Sequence, residues 1–172
     1  EAYARLKQSL GAVCLTSGPG STNAVPGLAE AYVDAAPVLI ISGQAPRNHT
    51  THNMGIPGLR NFGTAEINII PIVSSLTKYA VMINDPNLIR YHLEKAVYLA
   101  TSGRPGPVWL DIPMDVQYAQ INPDELAGFN PPVENLPTSD LEKDIDLALQ
   151  MIRRSRRPLI IAGNGIRQGD AI

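Results

Sequence analysis

Val38-Leu39-Ile40-Ile41, closed by Ser42-Gly43, is the stretch that decides the fold. It is apolar at every position, so it cannot put one face in the core and the other in water as a half-exposed hairpin strand does. Such a run fits a central parallel strand covered on both sides. Parallel strands need long return connections, and helical segments stand on either side to provide them. Upstream, residues 12–16 form a shorter apolar run ended by Ser17-Gly18-Pro19-Gly20, a strand feeding a glycine turn. A helix is predicted over 22–35, with Ala24, Leu28, Ala31 and Tyr32 on one face, Ser21 as N-cap and Pro26 near the first turn. Downstream, 66–75 reads as a helix disturbed by Pro71. Asp85 as N-cap and Pro86 at the first helical position open a helix in which Ile89, Leu93, Ala96, Val97 and Ala100 recur until Gly103. Residues 108–112 return as a strand closed by Pro113.

Strands alternating with helices give an α/β fold, a mostly parallel sheet flanked by helices. Between the second strand and the next helix, residues 44–60 form a long polar loop, of the kind that more often carries function than merely connects. Residues 121–137 hold Pro123, Pro131, Pro132 and Pro137 with little periodicity and read as a linker. Beyond it, Ser139 caps a helix with Leu141, Ile145, Leu149 and Ile152 on one face, and Leu159-Ile160-Ile161-Ala162 reads as a buried strand ended by Gly163-Asn164-Gly165. The expected organisation is one domain over 1–120, the linker, and the start of a second α/β domain over 138–172. Both ends read as cut.

Hydrophobic residues make up 44% and charged residues 17% of the 172, too apolar a balance for a disordered chain. The formal net charge of −2 has no long run of one sign, which argues against nucleic acid or an anionic membrane as the main partner. The cations of Arg153-Arg154-Ser155-Arg156-Arg157 close a predicted helix, where its dipole favours them. The single cysteine, Cys14, excludes an internal disulfide and reads as buried packing. No apolar stretch reaches the roughly 18–20 residues that cross a bilayer, and the expected location is the cytoplasm.

Two strands end in polar glycine turns, 16–23 and 42–44. Ligands of parallel sheets collect at such strand ends, and a glycine turn opening a helix lets one approach the backbone. The spacing is neither the dinucleotide fingerprint nor a P-loop. His49 and His52 on the polar loop fall short of a metal ligand set and are candidates for substrate contact.

The strings EAYAR (1–5), TSGPGSTN (16–23), ISGQAPR (41–47) and ATSGRPGPVWLDIPMDVQ (100–117) stand in the order and spacing of acetolactate synthase large subunits. The chain resembles the pyrimidine-binding domain of these thiamine-diphosphate enzymes from residue 1 to about 118, and RPLIIAGNGIR (157–167) resembles the start of their central domain. The resemblance implies thiamine diphosphate as cofactor, with Pro19 and Asn23 lining the pyrimidine pocket, Gln44 hydrogen-bonding near it, and Gly18 and Gly20 allowing close backbone approach. The family's catalytic glutamate falls upstream of Glu1, so no catalytic residue is assigned here. Mg2+ is held in the family by a Gly-Asp-Gly…Asn motif on another domain; Gly169-Asp170-Ala171 departs from it, so no metal residue is assigned either. FAD is carried by some members.

The activity implied is decarboxylation of a 2-oxo acid, pyruvate first, with transfer of the two-carbon unit to an acceptor, in an enzyme that is at least a homodimer. One departure stands out. Phe62-Gly63-Thr64-Ala65-Glu66 replaces the family's Phe-Gln-Glu, whose glutamine faces the reaction site, so the acceptor is open. Lys78 and Arg90 are substrate or flavin contacts by analogy, but solvated side chains by default; Asp111 reads as a turn-capping carboxylate. The rival readings are a 2-oxo acid decarboxylase, a non-catalytic nucleotide- or flavin-binding module built on the 161–165 turn, and a fragment that only dimerises.

Overall fold

The apolar run at residue 38 is the second strand of a four-stranded, all-parallel sheet. Its strands are β1 (Gly11–Leu15), β2 (Val38–Gln44), β3 (Tyr79–Met82) and β4 (Val108–Pro113), in the order β1-β2-β4-β3. Val38 pairs with Gly11, Leu39 with Val108, and Tyr79 with Val108, so the two central strands are β2 and β4. The structure, a computed structural model, describes residues 1–133, 140–169 and 171.

Helices α1 (Ala2–Lys7), α2 (Pro19–Thr22), α3 (Val25–Val33), α4 (Thr51–Met54), α5 (Ile69–Val73), α6 (Ile89–Thr101) and α7 (Met114–Gln117) surround this sheet. Alternation along the central strands sends successive side chains to opposite faces, and each face has its own core. Ile40 and Trp109 pack with Ala4, Leu28, Ala31, Ile69 and Val73 on one side. Leu39, Val108 and Leu110 pack with Ala96, Ala100 and Val116 on the other. Each fully buried Leu, Ile or Val contributes roughly 1.5–3 kcal/mol of transfer free energy, so a one-sided sheet would forfeit about half of this core.

The helix predicted over 22–35 is α3, shorter at both ends, with Pro26 in its first turn as expected; α2 ends at Thr22 and does not run on into it, because a proline inside a continuous helix would remove a hydrogen bond and clash with the preceding turn. Ser21 is buried within α2 instead of capping a helix, and its hydroxyl donates to the Thr16 carbonyl at 2.6 Å. The segment read as a helix from residue 66 starts only at Ile69, and Glu66 lies outside it. Asp85 does cap a turn, accepting from the Asn87 amide, but that turn is a 3-10 helix over Pro86–Leu88 that leads into α6.

Cys14 corrects another expectation: it is exposed. β1 lies at the edge of the described sheet with β2 as its one neighbour, and its three central residues are open to solvent. Residues 122–129 run over α6. The Glu94 carboxylate accepts from the Phe129 amide at 2.6 Å, and the Phe129 ring meets Tyr91 and Tyr98.

The chain divides into two units, Glu1–Asn130 and Pro131–Ile172. The second holds α8 (Leu141–Arg154) and α9 (Gly165–Gln168). The strand expected at 159–162 is absent. Leu159, Ile160 and Ile161 are all at least 75% exposed, and the described residues of their own unit hold no strand to offer them a ladder. Ser139, expected to cap the helix, and Asp170 lie outside the described residues. Among the described residues no helix is long and apolar enough to cross a membrane.

Candidate functional site

The turn between β1 and α3 is built on Gly18. Its φ of +60° belongs to the left-handed region that costs a side chain but not glycine, and a Cβ there would run into the carbonyl oxygen of Ala65. Gly18 thus lets the 62–67 segment rest directly on the turn. Ala65 itself has a φ of 55°, an uncommon conformation for a residue with a Cβ. Gly20 sits in α2, where a Cβ would meet the Thr16 methyl group. Pro19 and Asn23, at the start and C-cap of α2, are exposed. The turn therefore offers solvent a flat apolar ring and a carboxamide.

Gln44, the last residue of β2, faces inward and is buried. Its Nε2 donates to the Ile67 carbonyl at 2.9 Å and to Asp111 Oδ2 at 3.0 Å, while its Oε1 accepts from the Ala45 amide at 2.9 Å. The Ala45 amide can only donate and the Ile67 carbonyl can only accept, so the orientation of the carboxamide is fixed. Asp111 is wholly buried on β4, directly opposite Ser42 on β2. The Ser42 hydroxyl donates to Asp111 Oδ1 at 2.6 Å and accepts from the Trp109 indole N–H at 2.8 Å. Burial pushes the Asp111 carboxyl up from 3.8 to about 6. The hydrogen bonds from Ser42 and Gln44 pull the other way, and the Glu66 charge adds to the rise. Asp111 is therefore the centre of a buried polar network, and not the turn-capping group expected. Glu66, also buried, accepts from Thr51 Oγ1 at 2.8 Å on one oxygen and has no protein partner on the other.

The long loop after β2 is short helical turns, Arg47–His49 and α4. Arg47 donates from its amide and its Nε to Asp115, at 2.9 and 2.6 Å, and from Nη1 to the Asn84 carbonyl. Burial alone would raise the Asp115 pKa, but the Arg47 hydrogen bonds and charge hold it below the ordinary value. Arg47, Asn48, Asn53, Asn84 and Asp115 line an open hollow of about 590 Å³ beyond the ends of β2, β3 and β4. His52 lies at a second hollow of about 310 Å³ with Asn68, Ile70, Pro71 and Met82. Neither hollow is lined by Pro19, Asn23 or Gln44. His49 meets the Phe62 ring edge-on, and among the described residues no three His, Cys, Asp or Glu side chains gather in one group. The Lys78 ammonium donates to the Ser102 and Arg104 carbonyls at 2.7 and 2.9 Å, and Arg90 pairs with Glu94 at 2.8 Å on the surface of α6.

Sequence reasoning took Gln44 into account but missed its partners. The signal was available: Ser42 and Gln44 stand two apart late in an apolar strand, as do Trp109 and Asp111, so each pair shares a face. Only the register, Ser42 against Asp111, brings the two pairs together.

Residues 1–58 match the family described as thiamine pyrophosphate enzyme, N-terminal TPP binding domain. Among curated proteins, an acetolactate synthase of Arthrospira platensis is 37% identical over 96% of this chain and 27% of its own length. The acetolactate synthase large subunit of Lactococcus lactis is 36% identical over the whole chain and 28% of its own length. A chloroplastic acetolactate synthase of Nicotiana tabacum is 35% identical over 98% and 24%. The chain spans about a quarter of the length of these relatives.

Proposed function

Because this chain carries the N-terminal domain of the thiamine pyrophosphate enzymes and is related to acetolactate synthases, we propose that its 16–23 turn forms one wall of a thiamine-diphosphate site. The enzyme it serves decarboxylates a 2-oxo acid, pyruvate first, and passes the two-carbon unit to an acceptor. The observation that carries this reading is the Gly18 turn: packed against Ala65 on one side, it leaves Pro19 and Asn23 exposed together on the other. When bound, thiamine diphosphate supplies a thiazolium carbon that adds to a 2-oxo acid and takes up the electrons left as CO2 departs.

The fit of the residues present is partial. Pro19 gives an apolar ring against which a flat heterocycle can lie, and the Asn23 carboxamide can donate to and accept from its edge. Gln44 is committed to Ile67, Ala45 and Asp111, and so bears on the site through those partners. Asp111 and Glu66 lie buried behind the turn and do not supply a carboxyl to its exposed side. That carboxyl, the diphosphate and Mg2+ fall to groups beyond these 172 residues, and a second subunit completing the site makes the enzyme at least a homodimer. The acceptor is less constrained. Ala65 ends in a methyl group where a longer polar side chain would reach outward, which favours a second reading, transfer to an acceptor other than pyruvate.

The test is the product of the complete reading frame, assayed with pyruvate, thiamine diphosphate and Mg2+. Pyruvate consumption that depends on thiamine diphosphate, with an Asn23→Ala variant needing at least about ten times more cofactor for half-maximal rate, is the expected result. Turnover indifferent to the cofactor, or an unchanged N23A variant, refutes the proposal. Product analysis with pyruvate alone against pyruvate plus other 2-oxo acids and aldehydes separates the two acceptor readings.

A further inference from the structure

Two buried side chains connect the sheet to the exposed turn without themselves reaching its outer face. The Gln44 carboxamide holds the Ile67 carbonyl, and Asp111 holds Gln44. Asp111 is in turn fixed by Ser42, whose hydroxyl is oriented by the Trp109 indole. Ile67 closes the segment whose Ala65 carbonyl lies against Gly18. The same segment is tied down twice more. Glu66 accepts from Thr51, and Gly63 is so close to the 45–49 loop that a Cβ there would stand 2.5 Å from the His49 carbonyl oxygen.

The path from the sheet interior to Pro19 and Asn23 thus runs through hydrogen bonds and one backbone contact. Its geometry leaves little slack. Gln44 is held at three points and Asp111 at two, and a buried polar group that loses a partner costs about 1–3 kcal/mol. A segment seated by such a network has one position, and a turn that leans on the segment inherits it. Ala65 supports this reading: a non-glycine residue with a φ of 55° persists only where its surroundings determine it.

We propose that Asp111 and Gln44 are positioning residues for the cofactor turn: through Ile67 and the Ala65 carbonyl they set the place of Gly18, and with it Pro19 and Asn23. This rests on the assignment of that turn to thiamine diphosphate. It makes Gln44 a residue that acts from behind the site and not a ligand contact. It also assigns the buried carboxyl of Asp111, which no step of the chemistry uses, a role in cofactor affinity.

The experiment uses the complete gene product with Q44M and D111N, and N23A as reference. Cofactor binding is followed by titration with thiamine diphosphate at saturating Mg2+, and turnover is measured at saturating cofactor. Both inner variants raise the apparent Kd for thiamine diphosphate about five- to tenfold and keep kcat within about twofold of wild type. Hydrogen–deuterium exchange in Q44M, or in D111N, is faster over 16–23 and 63–67 and unchanged over α6. A general loss of structure would speed both regions and overturns the specific role. Unchanged cofactor affinity in Q44M and D111N, with N23A weakened, also overturns it and leaves the assignment of the turn intact. An unaffected N23A overturns the assignment itself.

Discussion

Asp111 makes the stability of the first unit depend on pH in a direction opposite to that of most carboxylates. Its pKa is about 6 in the folded protein and 3.8 for the free group, so between those values the folded state holds a proton that the unfolded chain has lost. Stability contributed in this way is complete below about pH 4 and is lost as pH rises through 6. A gap of about two pH units corresponds to about 3 kcal/mol. The charged group facing Asp111 is Glu66; Ser42 and Gln44 face it with neutral donors.

The perturbation is Asp111→Asn, which removes the titration and leaves a side chain of the same shape. It turns one hydrogen bond with Gln44 into opposed donors, an offset of about 1 kcal/mol that is the same at every pH. Trp109 is the only tryptophan and is fully buried beside the network, so its fluorescence follows unfolding where the change is made. Urea unfolding at pH 4.5, 5.5, 6.5 and 7.5 should show the wild type losing about 2 kcal/mol relative to D111N across the series, the rest of the gap lying below pH 4.5. Asp115, Glu94 and His92, all held below their ordinary values, are common to wild type and D111N and cancel in the difference between them. Parallel curves for wild type and variant would refute the argument.

Two other perturbations test the surrounding frame. Gly18→Ala places a Cβ at φ +60° and against the Ala65 carbonyl, so a loss of at least about 2 kcal/mol in urea unfolding is expected; a change under about 0.5 kcal/mol would mean that the segment does not lean on the turn. A double-mutant cycle with Arg47→Ala and Asp115→Ala should give a coupling below about 1 kcal/mol at pH 7, because both side chains are more than a third exposed, and less still as pH falls through the lowered Asp115 pKa.

The parallel sheet was legible because β2 and β4 are covered on both faces, and that burial writes a continuous apolar run into the sequence. β1 carries a similar run, yet Ala12, Val13 and Cys14 are exposed; an apolar stretch states what a strand can bury, not what lies beside it. The run at 159–161 made the same signal, yet its residues are exposed and form no strand. Of the candidate site, Gly18 was readable as a turn glycine, and its neighbour Ala65 was not, because 47 residues separate them and nothing local records the contact. Asp111 was misread for the same reason. Its environment comes from β2, from Glu66 and from Trp109, and a carboxylate near a strand end looks alike whether it faces water or the interior.

The two cores lie on opposite faces of the sheet, with its strands between them. A volume change around Leu28 or Ile69 meets β2 and β4 from one face, while one around Ala96 or Ala100 meets them from the other, so the side chains each change displaces belong to different clusters. The layer that includes α6 can accordingly drift in sequence or be redesigned while the layer carrying the glycine turn stays fixed. That is a modularity set by the pleat of the strands.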